Sequence, residues 1–285
     1  MKKLLLAIFL LQFSIVNCQT NSKDFPILKG PYLGQKPPGD KPEIFAPGII
    51  SNPDYFEHSA AIFSPEGNEV YWTAKANNQK NYYIYFMKMV DGIWSKPKIA
   101  EFCIENKSYE DFTLSADGQK LYFSCESESW FVEKQNGAWS NPNPVSSKIN
   151  SEANEYSWII TNNSSAYFIR FYEFDIYVSR VVNGDYGVPE KLGQQVNSSD
   201  TREYSVYVAP DESYMIIEAT KDARQCDLFI SYRKDSNSWS ERIKLPISWG
   251  RFPFVSPDGK YLFFMTHDGI YWVSTKIIKE LRPKE

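Results

Sequence analysis

Short apolar and aromatic runs alternate with polar turns along nearly the whole chain. Five of these runs are Val70-Tyr71-Trp72, Leu121-Tyr122-Phe123, Tyr167-Phe168-Ile169, Met215-Ile216-Ile217 and Tyr261-Leu262-Phe263-Phe264. Each follows a turn-like stretch: Phe63-Ser64-Pro65-Glu66-Gly67, Leu114-Ser115-Ala116-Asp117-Gly118, Ile160-Thr161-Asn162-Asn163-Ser164, Val208-Ala209-Pro210-Asp211-Glu212 and Val255-Ser256-Pro257-Asp258-Gly259. The stretches recur every 46–51 residues or thereabouts, roughly the period of a propeller blade. Pro presets φ for a turn, Asp bonds its own downstream backbone, and Gly accepts positive φ. Each unit therefore predicts an inner strand, a tight turn and a second strand. The third and fourth copies lack the glycine, which predicts a different turn type there.

A third strand is expected in every unit, over Tyr83 to Met89, Trp130 to Lys134, Asp175 to Arg180, Asp227 to Arg233 and Gly269 to Lys276. An outer strand opened by an aromatic follows in four of them, at Trp94, Trp139, Tyr186 and Trp239. Such aromatics are expected to wedge between neighbouring blades. The fifth unit has no room for an outer strand before the chain ends. Lys41-Pro42-Glu43-Ile44-Phe45 is similar to Lys96-Pro97-Lys98-Ile99-Ala100 of the first outer strand. The N-terminal stretch near Glu43 to Ile49 is therefore expected to complete the last blade and close the ring. The fold class is all-β: a five-bladed β-propeller of four-stranded antiparallel blades, its last blade completed by an N-terminal strand.

Composition adds a compartment and removes some functions. Lys2 and Lys3 precede an apolar stretch from Leu4 to Val16, the pattern of an export signal over residues 1–18. Ile15-Val16-Asn17-Cys18 resembles a lipoprotein box, which would lipidate Cys18; ordinary cleavage just after Cys18 is the alternative. Residues 19–40, rich in Pro, Gly and Lys, are expected as a linker, 41–279 as one propeller domain, and 280–285 as a tail. The expected location is the periplasm, outer membrane or cell surface, with membrane contact only through an N-terminal lipid. A net charge of −4 provides no basic field for nucleic acid. Cys103, Cys125 and Cys226 remain after the signal; an odd number leaves at least one thiol free, and buried free thiols are expected.

The Ser-Pro-Asp-Gly turn followed by Lys260-Tyr261-Leu262-Phe263-Phe264 resembles the WD-like β-propeller repeats of TolB-type periplasmic proteins. Asp175-Ile176-Tyr177-Val178-Ser179 is similar to that family's third strand, and Leu192-Gly193-Gln194-Gln195-Val196-Asn197, followed by Glu203, to its blade connection. The resemblance runs from about Phe45 to Lys276. It implies a propeller in an envelope protein, often one that joins protein assemblies. TolB also carries a separate N-terminal domain, which the residues ahead of the first blade are too few to form, so a translocation role is not expected.

Counting back from each turn places the N-terminal ends of the inner strands at one channel rim. Glu57 and His58, Tyr109, Glu110 and Asp111, Glu155 and Tyr156, Glu203 and Tyr204, and Arg251 gather there. The expected ligand-binding set is His58, Glu110, Glu155, Tyr156, Glu203, Tyr204 and Arg251. Convergent carboxylates around one Arg and one His suit a protein, peptide or glycan partner of the envelope. The alternative is a glycan-active hydrolase using two of those carboxylates as acid and base. The same acids could instead tie neighbouring blades together by hydrogen bonds. With two His in the chain, no Cys-x-x-Cys spacing, no Gly-x-Ser-x-Gly elbow and no phosphate loop, no metal, catalytic residue or cofactor is expected.

Overall fold

The computed structural model describes residues 25–151, 154–222, 225–235 and 238–283. The expected export segment with Cys18, and the start of the expected linker, lie outside them.

Five antiparallel sheets form a ring, one per repeat. Their inner strands are Tyr55–Glu57 with Ile62–Phe63, then Tyr109–Leu114, Glu155–Ile160, Arg202–Val208 and Arg251–Val255. Each pairs with its second strand, which pairs with a third, which takes a short outer strand. The outer strand of blade five is Glu43–Ile44, with Glu43 opposite Trp272 and Ile44 opposite Tyr271. The Phe45 N–H extends this pairing to the Ile270 carbonyl at 2.8 Å. The first strand among the described residues thus closes the ring onto its last blade, and pairing ends by Phe45, short of Ile49.

The second strands read as unbroken apolar runs because both of their faces are buried. Within Glu69–Ala76, Val70, Trp72 and Ala74 face the seam with blade five, whereas Tyr71 faces the seam with blade two. Likewise Ile216 belongs to the seam of blades four and five, and Ile217 to that of blades three and four. Period-two alternation thus divides each run between two separate cores. Five apolar clusters fill the five seams. The outer-strand aromatics act as wedges: Trp139 of blade two packs on Tyr71 of blade one, and Trp239 of blade four on Tyr167 of blade three.

Two expectations are corrected. All five turns have one geometry, with an i→i+3 bond and positive φ at the fourth position, held by glycine in three copies and by Ser164 (φ 64) and Glu212 (φ 57) in the others. Asp117, Asn163, Asp211 and Asp258 each accept the backbone N–H two residues on, so this bond is common to turns with and without the glycine. Residues 25–40, expected as a linker, pack on the ring. Leu28 accepts a bond from the Trp94 N–H at 3.0 Å, Gly30 accepts the Trp94 indole at 2.8 Å, and the Tyr32 ring lies 5.1 Å from those of Phe63 and Tyr261. Gln35 bonds Ile44 and Ala46, fixing the closing strand. A Pro- and Gly-rich segment here is ordered by aromatic anchors set among its turns. Cys103, Cys125 and Cys226 are free thiols.

Candidate functional site

The central channel is pinched at its waist. Ile62, Phe112, Ile159 and Phe254 help to reduce it there to about 40 Å³. Above the waist, at the N-terminal ends of the inner strands, it opens into a cavity of about 450 Å³. Strand irregularities shape this mouth. Pairing shifts register between Glu110 and Thr113, Tyr156 and Ile159, Glu203 and Ser205, and Arg251 and Phe254. Asp111, Ser157 and Phe252 take positive φ of 50–55° at three of these bulges. Bulges re-aim side chains out of the pleat, and here they turn Asp111 and Phe252 to the mouth.

The cavity gathers His58, Glu110, Glu155, Tyr156, Tyr204 and Arg251 from the expected set; Glu203 is not among its walls. The carboxylates differ in what they do. Glu155 is fully buried, accepts the Ser151 N–H at 2.7 Å and pairs with Arg170 at 3.3 Å. Glu203 accepts the Thr201 hydroxyl at 2.7 Å and pairs with Arg242 at 2.9 Å. Glu57 accepts the Asn52 N–H at 3.2 Å. These three acids hold the blade-to-blade loops, as in the tying role weighed above. Tyr109 is buried in the seam of blades one and two, its hydroxyl bonded to the Ile104 N–H.

Asp111 and Glu110 are different. Glu110 accepts only the Ser108 hydroxyl, at 3.0 Å. Asp111 has no hydrogen-bond or ion-pair partner among the described residues. It keeps some accessible surface yet is enclosed by protein; this burial, then the Glu110 charge, push its pKa up to about 7, against the pull of Arg251 and with a smaller push from Glu218. Arg251 donates through Nε to the fully buried Glu218 at 2.6 Å, and Glu218 also accepts the Phe252 N–H at 3.0 Å. The two terminal amino groups of Arg251 have no partner among the described residues.

Nine buried side-chain atoms among the described residues have no partner, and three of them line this cavity: His58 Nδ1, Ser124 Oγ and Tyr156 Oη. The His58 ring lies between Tyr82 and Phe252, with centroids 4.9 and 4.8 Å away. Burial, then the charges of Arg251 and Lys75, lower its pKa to about 4, so it is neutral at pH 7. Burial, then the charge of Asp111, raises the Tyr156 phenol above its ordinary range. Buried polar groups are normally paired, and these three unpaired ones face a single cavity. Beside it stands an aromatic ledge: Phe171 is 49% exposed and Tyr172 73%. Their rings touch one another, and Phe171 also meets Tyr156 and Phe174.

Sequence reasoning placed Asp111 at this rim without distinguishing it from its neighbours, and missed Ser124, Phe171 and Phe252. No motif marks them, although the run Phe171-Tyr172-Glu173-Phe174 in a polar turn was a readable sign of an exposed aromatic loop. Among the described residues, no group of three or more His, Cys, Asp or Glu is placed to hold a metal ion.

No family model matches the chain, and no characterised protein matches it by sequence. Solved structures do. A chain of the nidogen/laminin complex is 14% identical with a TM-score of 0.51, covering 79% of this chain and 78% of its own. A TolB-type protein of Agrobacterium tumefaciens is 18% identical with a TM-score of 0.46, covering 74% and 69%. TolB of Acinetobacter baumannii is 11% identical with a TM-score of 0.47, covering 76% and 53%, so this chain spans about half that protein. At 14% identity the likeness to the nidogen/laminin chain is one of fold alone.

Proposed function

We propose that this propeller is a non-enzymatic binding protein of the bacterial envelope, which takes a segment of a protein or peptide partner into its channel mouth. The observation that carries the reading is the set of unpaired polar groups around one cavity: Asp111, the terminal nitrogens of Arg251, His58 Nδ1, Ser124 Oγ and Tyr156 Oη. A cavity of about 450 Å³ suits two or three residues of an inserted chain, and the Phe171–Tyr172 ledge offers apolar contact beside it. Export and lipidation at Cys18 belong to the same reading, and intact mass of the mature chain decides between a lipidated Cys18 and simple cleavage.

The test is selection of a random peptide display library on the purified protein. Enriched peptides are expected to lose at least tenfold in affinity for the Phe171→Ser/Tyr172→Ser variant, whose two changes lie on the exposed ledge. A library that enriches nothing, or peptides that bind both forms equally, would refute the reading.

One observation favours a second reading, glycan hydrolysis. Asp111, held near a pKa of 7 beside the Glu110 carboxylate, has the character of a general acid. Turnover of aryl glycosides or cell-wall fragments that disappears in Asp111→Asn would support it, and absence of turnover across such substrates would remove it.

A further inference from the structure

We propose that the channel mouth recognises a primary ammonium group, which the partner presents to Asp111 and Glu110 while Arg251 holds a carbonyl oxygen next to it. The inference rests on the binding reading above and narrows it to one ligand chemistry.

Charge bookkeeping around the mouth sets the sign. The Arg251 guanidinium is matched by the buried Glu218 carboxylate at 2.6 Å. Glu155 is matched by Arg170. Glu126, at the cavity edge, pairs with Lys107 at 2.9 Å. His58 is neutral at pH 7. Lys75, behind His58, lies over the Tyr82 ring at 4.6 Å. Asp111 and Glu110 are the lining carboxylates without an ion-pair partner, against one cation, Lys75, that pairs with no carboxylate among the described residues, so the mouth keeps an excess of negative charge. An anionic ligand on the Arg251 nitrogens would face both of them.

Hydrogen-bonding capacity points the same way. An ammonium brings three donors and no acceptor. Asp111, the Tyr156 and Ser124 hydroxyls and His58 Nδ1 all have unused capacity, and the hydroxyls can accept. The open terminal nitrogens of Arg251 are donors and suit the carbonyl that follows an amine in a peptide. The Phe171, Tyr156 and Tyr204 rings also line the cavity, and aromatic rings attract a cation within about 6 Å of a centroid, whereas the Phe252 ring already carries the Arg251 guanidinium at 4.7 Å. A metal ion fits less well, since the described residues offer no cluster of ligands for one.

The site also predicts a pH dependence. Unliganded Asp111 is mostly protonated at pH 6 and mostly ionised at pH 8. A cation binds the ionised form, so binding expels the proton and affinity rises with pH. With the midpoint near 7, the ionised fraction goes from about one-tenth to about nine-tenths, a gain of roughly tenfold between pH 6 and 8.

Calorimetric titration of the full chain with defined probes tests this. The probes are penta-alanine amide with a free N-terminus, N-acetyl-Ala-Ala-Lys-Ala-Ala amide, and N-acetyl-penta-alanine amide, each at pH 6 and pH 8. A bound lysine probe should bind about tenfold more tightly at pH 8, whereas a bound free N-terminus should gain only about three- to fivefold because an α-amino group itself loses its proton near pH 8; at least one of the two should bind, and the amine-free N-acetyl-penta-alanine amide should not. Which amine wins tells a chain terminus from a lysine side chain. Asp111→Asn should weaken binding at least tenfold and flatten the pH response, and Glu110→Gln should weaken it and move the pH response to lower pH, because the Glu110 charge helps to raise the Asp111 pKa; circular dichroism verifies that both variants fold. Equal binding of the acetylated probe, tighter binding at pH 6, no binding of either amine, or full affinity in Asp111→Asn overturns the inference. If display-selected peptides bind the aromatic ledge whether or not their amines are acetylated, the ammonium inference falls while the binding reading stands.

Discussion

Ring closure can be tested through one side chain. Phe45 follows the closing strand and is fully buried. Its ring meets Phe263 and Trp272 of blade five with centroids 5.1 Å away, and Phe63 of blade one at 5.9 Å. Phe45→Ala removes the apolar transfer energy and leaves a cavity at the seam, a loss of about 3–5 kcal/mol for a buried Phe. The three edge-on contacts fall within the same range, since each contributes about 0.5–1.5 kcal/mol and they share one ring. At about 2–4 °C per kcal/mol for a large domain, Tm should fall by roughly 6–20 °C. Urea and thermal melts followed by circular dichroism measure both numbers. Ile27→Ala is the control, because Ile27 is 75% exposed and its truncation should cost less than about 0.5 kcal/mol. A cost below about 1 kcal/mol for Phe45→Ala would refute the claim that the N-terminal strand locks the ring.

Two further outcomes follow from the seams and turns. Glu212 accepts the Thr161 and Tyr167 hydroxyls at 2.9 Å each and pairs with Arg233, linking blades three and four. Burial works to raise its pKa, but the hydrogen bonds and the Arg233 charge together bring it below the ordinary value. Its contribution is therefore present above the ordinary carboxylate range and lost as pH falls through the folded pKa. Glu212→Gln should cost about 3 kcal/mol in urea melts at pH 7, and the gap to the wild type should narrow below about pH 4; a gap independent of pH contradicts the assignment. Ser164, exposed at φ 64, occupies the position that glycine fills in three sister turns. Ser164→Gly should stabilise the protein by about 0.5–1 kcal/mol in the same melts, and a loss would show that the serine is doing more than occupying the turn.

The distinction between the acids shows where sequence reading stops. Glu155-Tyr156-Ser157 and Glu203-Tyr204-Ser205 are repeats of one another, and repetition made both glutamates look like parts of a rim. Their actual partners, Arg170 and Arg242, sit 15 and 39 residues downstream, and the second comes from an outer-strand region no local pattern connects to it. Asp111 is left unpaired while Arg251, whose charge acts on it, is held by Glu218 of blade four. The turn of copies three and four was misread for a different reason: glycine is the usual holder of positive φ, but Ser164 and Glu212 take it too in turns with the same backbone bond.

The sequence alone determined the number of blades, the turn that joins the first two strands of each, and the strand that closes the ring. Those features follow from local periodicity, because a strand buried on both faces must be apolar throughout and must be followed by a turn. Only the tertiary structure decided which charges around the channel neutralise one another and which remain open. Electrostatic pairing depends on distance through space between blades far apart in the chain, and a one-dimensional pattern does not carry that distance.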